Sequence, residues 1–125
     1  MTCPFCAIVD GQAEARVVEH WTDAIAIIPR NAVAPGHVIV IPKVHVESAA
    51  TDPVTTGSPM RRAAEMAKRY DACNIITSVG ADATQTVFHL HIHVVPRAKN
   101  DGLLLPWAPI KRGDIYCAFG CDPSR

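Results

Sequence analysis

The sequence predicts an α+β domain with a largely antiparallel sheet of about five strands, and three observations predict it. Short apolar, β-branched segments recur at 16–20, 24–28, 37–41 and 74–79, and strict alternation returns within Gln85–Arg97. One helical periodicity stands between the third and fourth of these segments. No repeat or compositional break divides the 125 residues, a length that suits one hydrophobic core. A run of short strands with one interposed helix favours α+β over an alternating parallel sheet. The chain is therefore read as one domain, 1–125, with a core over about 3–107.

Pro4 to Asp10 suits a short N-terminal helical turn ended by Gly11. Arg16–His20 and Ala24–Ile28 form a hairpin around the polar turn Trp21-Thr22-Asp23, and Pro29 stops its second strand. Ala34-Pro35-Gly36 is a loop, and His37–Ile41 is a third strand stopped by Pro42. Residues 51–59, rich in Pro, Gly, Ser and Thr, read as a surface loop. Ser58 then caps the main helix with Pro59 in its first turn, and Met60, Ala63, Ala64, Ala67 and Tyr70 recur on one face through Asp71. Met60 and Met66 are core residues in this reading. Asn74–Val79 is a fourth strand, Gly80–Thr84 a loop, and Gln85–Arg97 the fifth strand. Beyond the apolar Leu103–Trp107, prolines at 106, 109 and 123 and Gly113 make 108–125 an irregular tail.

Twelve basic and twelve acidic residues cancel. No basic field argues for nucleic acid and no polybasic cluster for an anionic membrane, so the expected partner is small. No run approaches the ~18 apolar residues of a membrane span, and the first ten residues lack a secretory pattern. The expected location is cytoplasmic. Five cysteines, an odd number, suit a reducing compartment. Cys3 and Cys6 form a Cys-x-x-Cys, which is a redox pair, two small buried residues, or half of a tetrahedral zinc site. Zinc needs two further ligands, and His45 and His89 are the candidates. Cys73, Cys117 and Cys121 carry no assignment.

His89, His91 and His93 alternate with Leu90, Ile92 and Val94. As a strand, this places the histidines on one face, roughly 6.6 Å apart, and the apolar residues on the other. A solvated polar face is the plain alternative. Three imidazoles in register within the most apolar run of the chain point instead to a functional row, serving one substrate or two adjoining sites.

His89-Leu90-His91-Ile92-His93-Val94-Val95 resembles the signature of the histidine triad (HIT) superfamily. Gln85-Thr86-Val87 ahead of it, and Ala34–Lys43, resemble further hallmarks of that family. The resemblance implies a HIT-like fold forming a homodimer, in which the helix and the Asn74 strand meet their counterparts and extend the sheet. It implies that Cys3, Cys6, His45 and His89 hold structural zinc, as in the zinc-containing branch; reduced thiols beside a core-bonded His89 are the alternative. It implies that His91 attacks an α-phosphate to give a nucleotidyl-histidine intermediate, without a catalytic metal. His93 and Thr86 would donate hydrogen bonds or protonate the leaving group, and Gln85 would orient phosphate oxygens or act as a strand-end hydrogen-bonder.

The chain departs from the family pattern at three positions. Pro29 stands where an acidic residue often grips the ribose, leaving Asn31 as substitute; Ser78 replaces a frequent asparagine; Thr84 replaces a glycine. The implied substrate is a purine mononucleotide compound, such as a nucleoside phosphoramidate or related ester. Competing readings are a dinucleoside polyphosphate hydrolase, a non-catalytic nucleotide-binding or adaptor module, and a metalloprotein in which His91 and His93 also bind metal.

Overall fold

The structure, a computed structural model, describes residues 3–107. The tail 108–125, with Cys117 and Cys121, lies outside the described residues. Element order is α1 (Pro4–Val9), β1 (Arg16–His20), β2 (Ala24–Ile28), β3 (Val38–Pro42), α2 (Pro53–Ala67), β4 (Cys73–Ile76) and β5 (Ile92–Pro96). The strands pair in the order β1-β2-β3-β5-β4, each neighbouring pair antiparallel. This is the α+β, HIT-like architecture that the sequence predicts.

Strand alternation divides the core between two sheet faces. Ala24, Ala26, Val38, Val40, Ile92 and Val94 turn toward α2, where Ala63, Met66 and Leu90 join them. Ile25, Ile27, Ile39 and Ile41 turn the other way, against Phe5, Ile8 and Val9 of α1. His93 stands opposite Ile39 in the β3·β5 ladder and so belongs to the α1 face. Slipping β5 by one residue would bury the histidines under α2 and expose Ile92 and Val94, each worth ~1.5–3 kcal/mol of burial. The apolar residues thus determine the face that the histidines occupy.

Several element boundaries differ from expectation; the main helix ends at Ala67 rather than Asp71 and the fourth strand at Ile76 rather than Val79, and two starts differ more. The main helix begins at Pro53, so most of 51–59 is helix rather than loop. The chain carries two cap-and-proline pairs, Asp52-Pro53 and Ser58-Pro59. Asp52 wins because its carboxylate accepts from the Thr55 N–H at 3.0 Å and the Thr55 hydroxyl at 2.5 Å. Ser58 instead donates to Asp23, which also accepts from Arg62 at 3.1 Å. Pro59 sits inside the helix with its ring buried, at the loss of one backbone hydrogen bond.

The fifth strand likewise begins later, at Ile92 rather than Gln85. Ahead of it the backbone bonds outside the ladder, Leu90 N–H donating to Val46 O at 2.8 Å and the Thr77 hydroxyl to His91 O at 2.8 Å. β4 correspondingly ends at Ile76.

The loop before β3 ends in Gly36, at φ +84. An L side chain rarely adopts that φ, and a Cβ there would lie 2.7 Å from the Tyr70 hydroxyl and 3.2 Å from Pro96 Cγ, so glycine suits this turn.

Candidate active site

Six side chains line up across the α1 face. His45 and His89 have ring centroids 4.9 Å apart, Phe5 bridges His89 and His91 at 5.8 and 4.9 Å, His91 and His93 stand 5.3 Å apart, and His93 meets His37 at 5.2 Å. The alternation expected of the triad survives, although His89 and His91 precede the strand proper.

At one end Cys3, Cys6, His45 and His89 bring four donor atoms within 4.8 Å of one another. Cys3 Sγ lies 3.4 Å from His89 Nδ1, Cys6 Sγ 3.4 Å from His45 Nδ1, and the two Nδ1 atoms are 3.1 Å apart. Tetrahedral zinc, with bonds of ~2.3 Å to sulfur and ~2.0–2.1 Å to nitrogen, spaces its ligand atoms by roughly 3.3–3.8 Å. Two thiols and two imidazoles are a donor set that suits such an ion, and the two Cys–His separations of 3.4 Å lie within that range. His89 Nε2–H donates to Pro42 O at 2.8 Å, which fixes the tautomer and aims the Nδ1 lone pair at the cysteines.

The middle of the row reverses this arrangement. His91 Nδ1–H donates to His89 O at 2.8 Å, which puts the lone pair on Nε2, unpaired among the described residues. At the far end Val33 N–H donates to His37 Nδ1 at 3.0 Å, so the proton of neutral His37 lies on Nε2. That Nε2–H donates to His93 Nδ1 at 2.9 Å, which puts the His93 proton on its own Nε2. Backbone groups thus set three tautomers directly and a fourth through His37. Burial is the main reason that His37, His91 and His93 hold protons less readily than free imidazole, with His93 pushed down to about 4. All three rings are neutral at pH 7. The arrangement offers one unprotonated ring nitrogen beside one N–H hydrogen-bond donor.

The other sequence candidates lie around this row. Gln85 is buried, and its amide is engaged by the chain itself: it accepts from Gly80 N–H at 2.8 Å and donates to Glu47 O and Val87 O at 2.7 and 3.1 Å. Thr86 is exposed and lines a cavity of about 440 Å³ with Cys3, Pro4, His45, Glu47, Val87 and Phe88. Asn31 is exposed in the loop that supplies Val33. Ser78 is half-buried after β4, where its neighbour Thr77 makes the bond to the His91 carbonyl. Thr84 adopts φ +70, the left-handed region that its usual glycine would occupy without strain. Sequence reasoning did not single out His37, Thr77 or Phe5. His37 was visible only as the residue after Gly36 in a hallmark segment, because its pairing with His93 depends on the β3·β5 register.

Fold and site together define a histidine triad protein. The family model of the HIT domain matches residues 10–100, and the chain belongs to that family. It is 36% identical over 121 residues to an uncharacterized HIT-like protein of Mycobacterium tuberculosis, covering 91% of this chain and 84% of the relative. An adenylylsulfatase of Arabidopsis thaliana is 30% identical over 85% of this chain and 56% of its own length. Among solved structures, a zinc-bound histidine triad family protein from Mycobacterium smegmatis superposes with a TM-score of 0.70 at 36% identity, covering 83% of this chain and 81% of that one.

Proposed function

We propose that the protein is a nucleotidyl hydrolase or transferase that cleaves purine nucleoside phosphoramidates or related nucleoside-phosphate compounds through a covalent intermediate on His91. The observation that carries this reading is the hydrogen bond from His91 Nδ1–H to His89 O, which presents Nε2 as a neutral nucleophile. Attack of Nε2 on the α-phosphorus forms a P–N bond as the bond to the leaving group breaks. His93 Nε2–H or the Thr86 hydroxyl donates a hydrogen bond to the departing amine or alkoxide and passes it a proton. Water then attacks phosphorus, returns a proton to that donor and frees His91. Asn31 is proposed at the ribose and Ser78 beside the phosphate. Gln85 acts by holding the Gly80–Val87 turn, since its amide is already bonded there.

Zinc is proposed on Cys3, Cys6, His45 and His89, where it supplies a cross-link between α1 and the triad segment; no reaction step runs through it. The adenylylsulfatase relative supports a phosphate linked to a good leaving group as the substrate class. Turnover of a fluorogenic adenosine phosphoramidate, with adenylyl sulfate in parallel, tests the proposal. Alkaline-quenched enzyme should carry one nucleotidyl group on His91. Absence of turnover on both compounds with retained nucleotide binding would favour a non-catalytic nucleotide-binding module.

Assembly is part of the reading. Among the described residues β4 is an edge strand that exposes Ile75, and pairing β4 with a second copy covers that edge. Light scattering should return twice the 13.5 kDa chain mass at micromolar concentration; a monomer would reject it.

No helix among the described residues is long and apolar enough to cross a membrane. A cytoplasmic location remains part of the proposal.

A further inference from the structure

α1 has six residues, none of them fully buried. Isolated helices shorter than ~12–15 residues are marginal in water, so its placement depends on tertiary contacts. Its C-terminal half is held by Ile8 and Val9 against β2 and β3. Its N-terminal half carries the two thiols, Cys3 as the cap that accepts the Cys6 N–H at 3.4 Å and Cys6 one turn on. Phe5 lies between them and meets both His89 and His91 edge to face, with interplanar angles of 80° and 78°.

Among the described residues His91 has one ring hydrogen bond, from Nδ1 to the His89 carbonyl. A single bond fixes the tautomer but leaves the ring free to tilt about it. Two aromatic rings among the described residues flank it, His93 at 5.3 Å and Phe5 at 4.9 Å. We propose that Phe5 is a positioning residue for His91, and that docking α1 through Cys3 and Cys6 on the metal site thereby sets the orientation of the nucleophile. This rests on the reading of His91 given under Proposed function. It adds a role for the metal cluster beyond stability: an ion that draws the thiols to His45 and His89 also seats the ring that backs His91.

The test is Phe5→Leu in the metal-loaded protein, with Phe5→Met as second variant and Phe5→Tyr as aromatic rescue. Metal content, kcat, KM and the His91 imidazole resonances are read together. A misplaced nucleophile should lower kcat about ten- to a hundredfold, with KM within twofold, metal content at the wild-type level and the His91 ring signals shifted or broadened. Phe5→Tyr should restore both kcat and the signals.

Unchanged kcat and unchanged His91 signals in both Leu and Met variants would overturn the proposal. So would a raised KM with normal kcat, which makes Phe5 a wall of the nucleotide pocket. If the variants shed metal, wild-type protein titrated with a chelator decides: His91 signals that stay fixed while α1 signals change also overturn it. Full turnover by His91→Ala would instead refute the catalytic reading, while the His91 ring signals still report whether Phe5 positions that ring.

Discussion

His89 and His91 stand two residues apart on one face, yet they present opposite ring nitrogens. His89 gives its Nε2–H to Pro42 O and aims Nδ1 at two thiols; His91 gives its Nδ1–H to His89 O and leaves Nε2 open. His89 is fully buried, and His91 only partly so. Neither difference lies in the imidazole itself. Each follows from which backbone carbonyl the other nitrogen reaches, so one residue type in one alternating stretch yields the proposed metal ligand and the proposed nucleophile side by side.

The largest effect expected from this comparison is on chemistry. His91→Ala should lower turnover of a nucleoside phosphoramidate by at least about a thousandfold, with metal content and melting temperature near wild type. The mirror substitution, His89→Ala, should release the metal and lower the melting temperature by roughly 10 °C or more, because binding at a site absent from the unfolded chain is coupled to folding. Cys6→Ser should act in the same direction. If His91→Ala loses metal while His89→Ala keeps it, the division between the two histidines is wrong.

A smaller effect separates the two regions by pH. His93 folds with its proton affinity pushed down to about 4, by burial and by the neighbouring His91 and His37. Its unfolded value is near 6.5. Between these values the unfolded chain binds more protons, so stability rises with pH through the window, is complete above it, and is lost as pH falls toward 4. Acid also displaces metal, as protons compete for its ligands. The useful measurement is therefore the stability slope of wild type against His93→Gln, both carrying the cluster. The variant should show the shallower dependence between pH 6.5 and 4, and equal slopes would remove His93 as the source.

What the sequence disclosed and what it withheld follow one physical division. β1 and β2 were legible to the residue, because their apolar runs and punctuation are local. The metal-ligand candidates and the shared face of the triad were legible too, through spacing, alternation and family resemblance. The start of β5 was not, because side-chain alternation continues past the point where the ladder ends; Val46 O and the Thr77 hydroxyl, which take over the bonding, are remote in sequence. The start of α2 was misplaced because Asp52-Pro53 and Ser58-Pro59 offer the same local signal, and Asp23 claims the Ser58 hydroxyl from a distant turn. His37 escaped because a tautomer chain from Val33 to His93 exists only once β3 and β5 are paired.

The smallest expected effect concerns the turn that leads into the triad. Gln85 staples this turn: Gly80 N–H donates to its side chain, and its own N–H returns to Gly80 O at 3.1 Å. The closure forces Thr84 to φ 70 and ψ 21. For an L-residue the left-handed region costs roughly 1–2 kcal/mol, and a β-branched side chain lies at the unfavourable end of that range. Glycine removes this strain but gives up ~0.5–1 kcal/mol in chain entropy. Thr84→Gly should therefore stabilise the protein by about 1–1.5 kcal/mol, raising the melting temperature by roughly 3–7 °C. The metal site and the His91 tautomer should be untouched, since Thr84 contacts neither. Thermal unfolding of the metal-loaded variant checks this, and a lower melting temperature would show that the Thr84 side chain supports the turn rather than straining it.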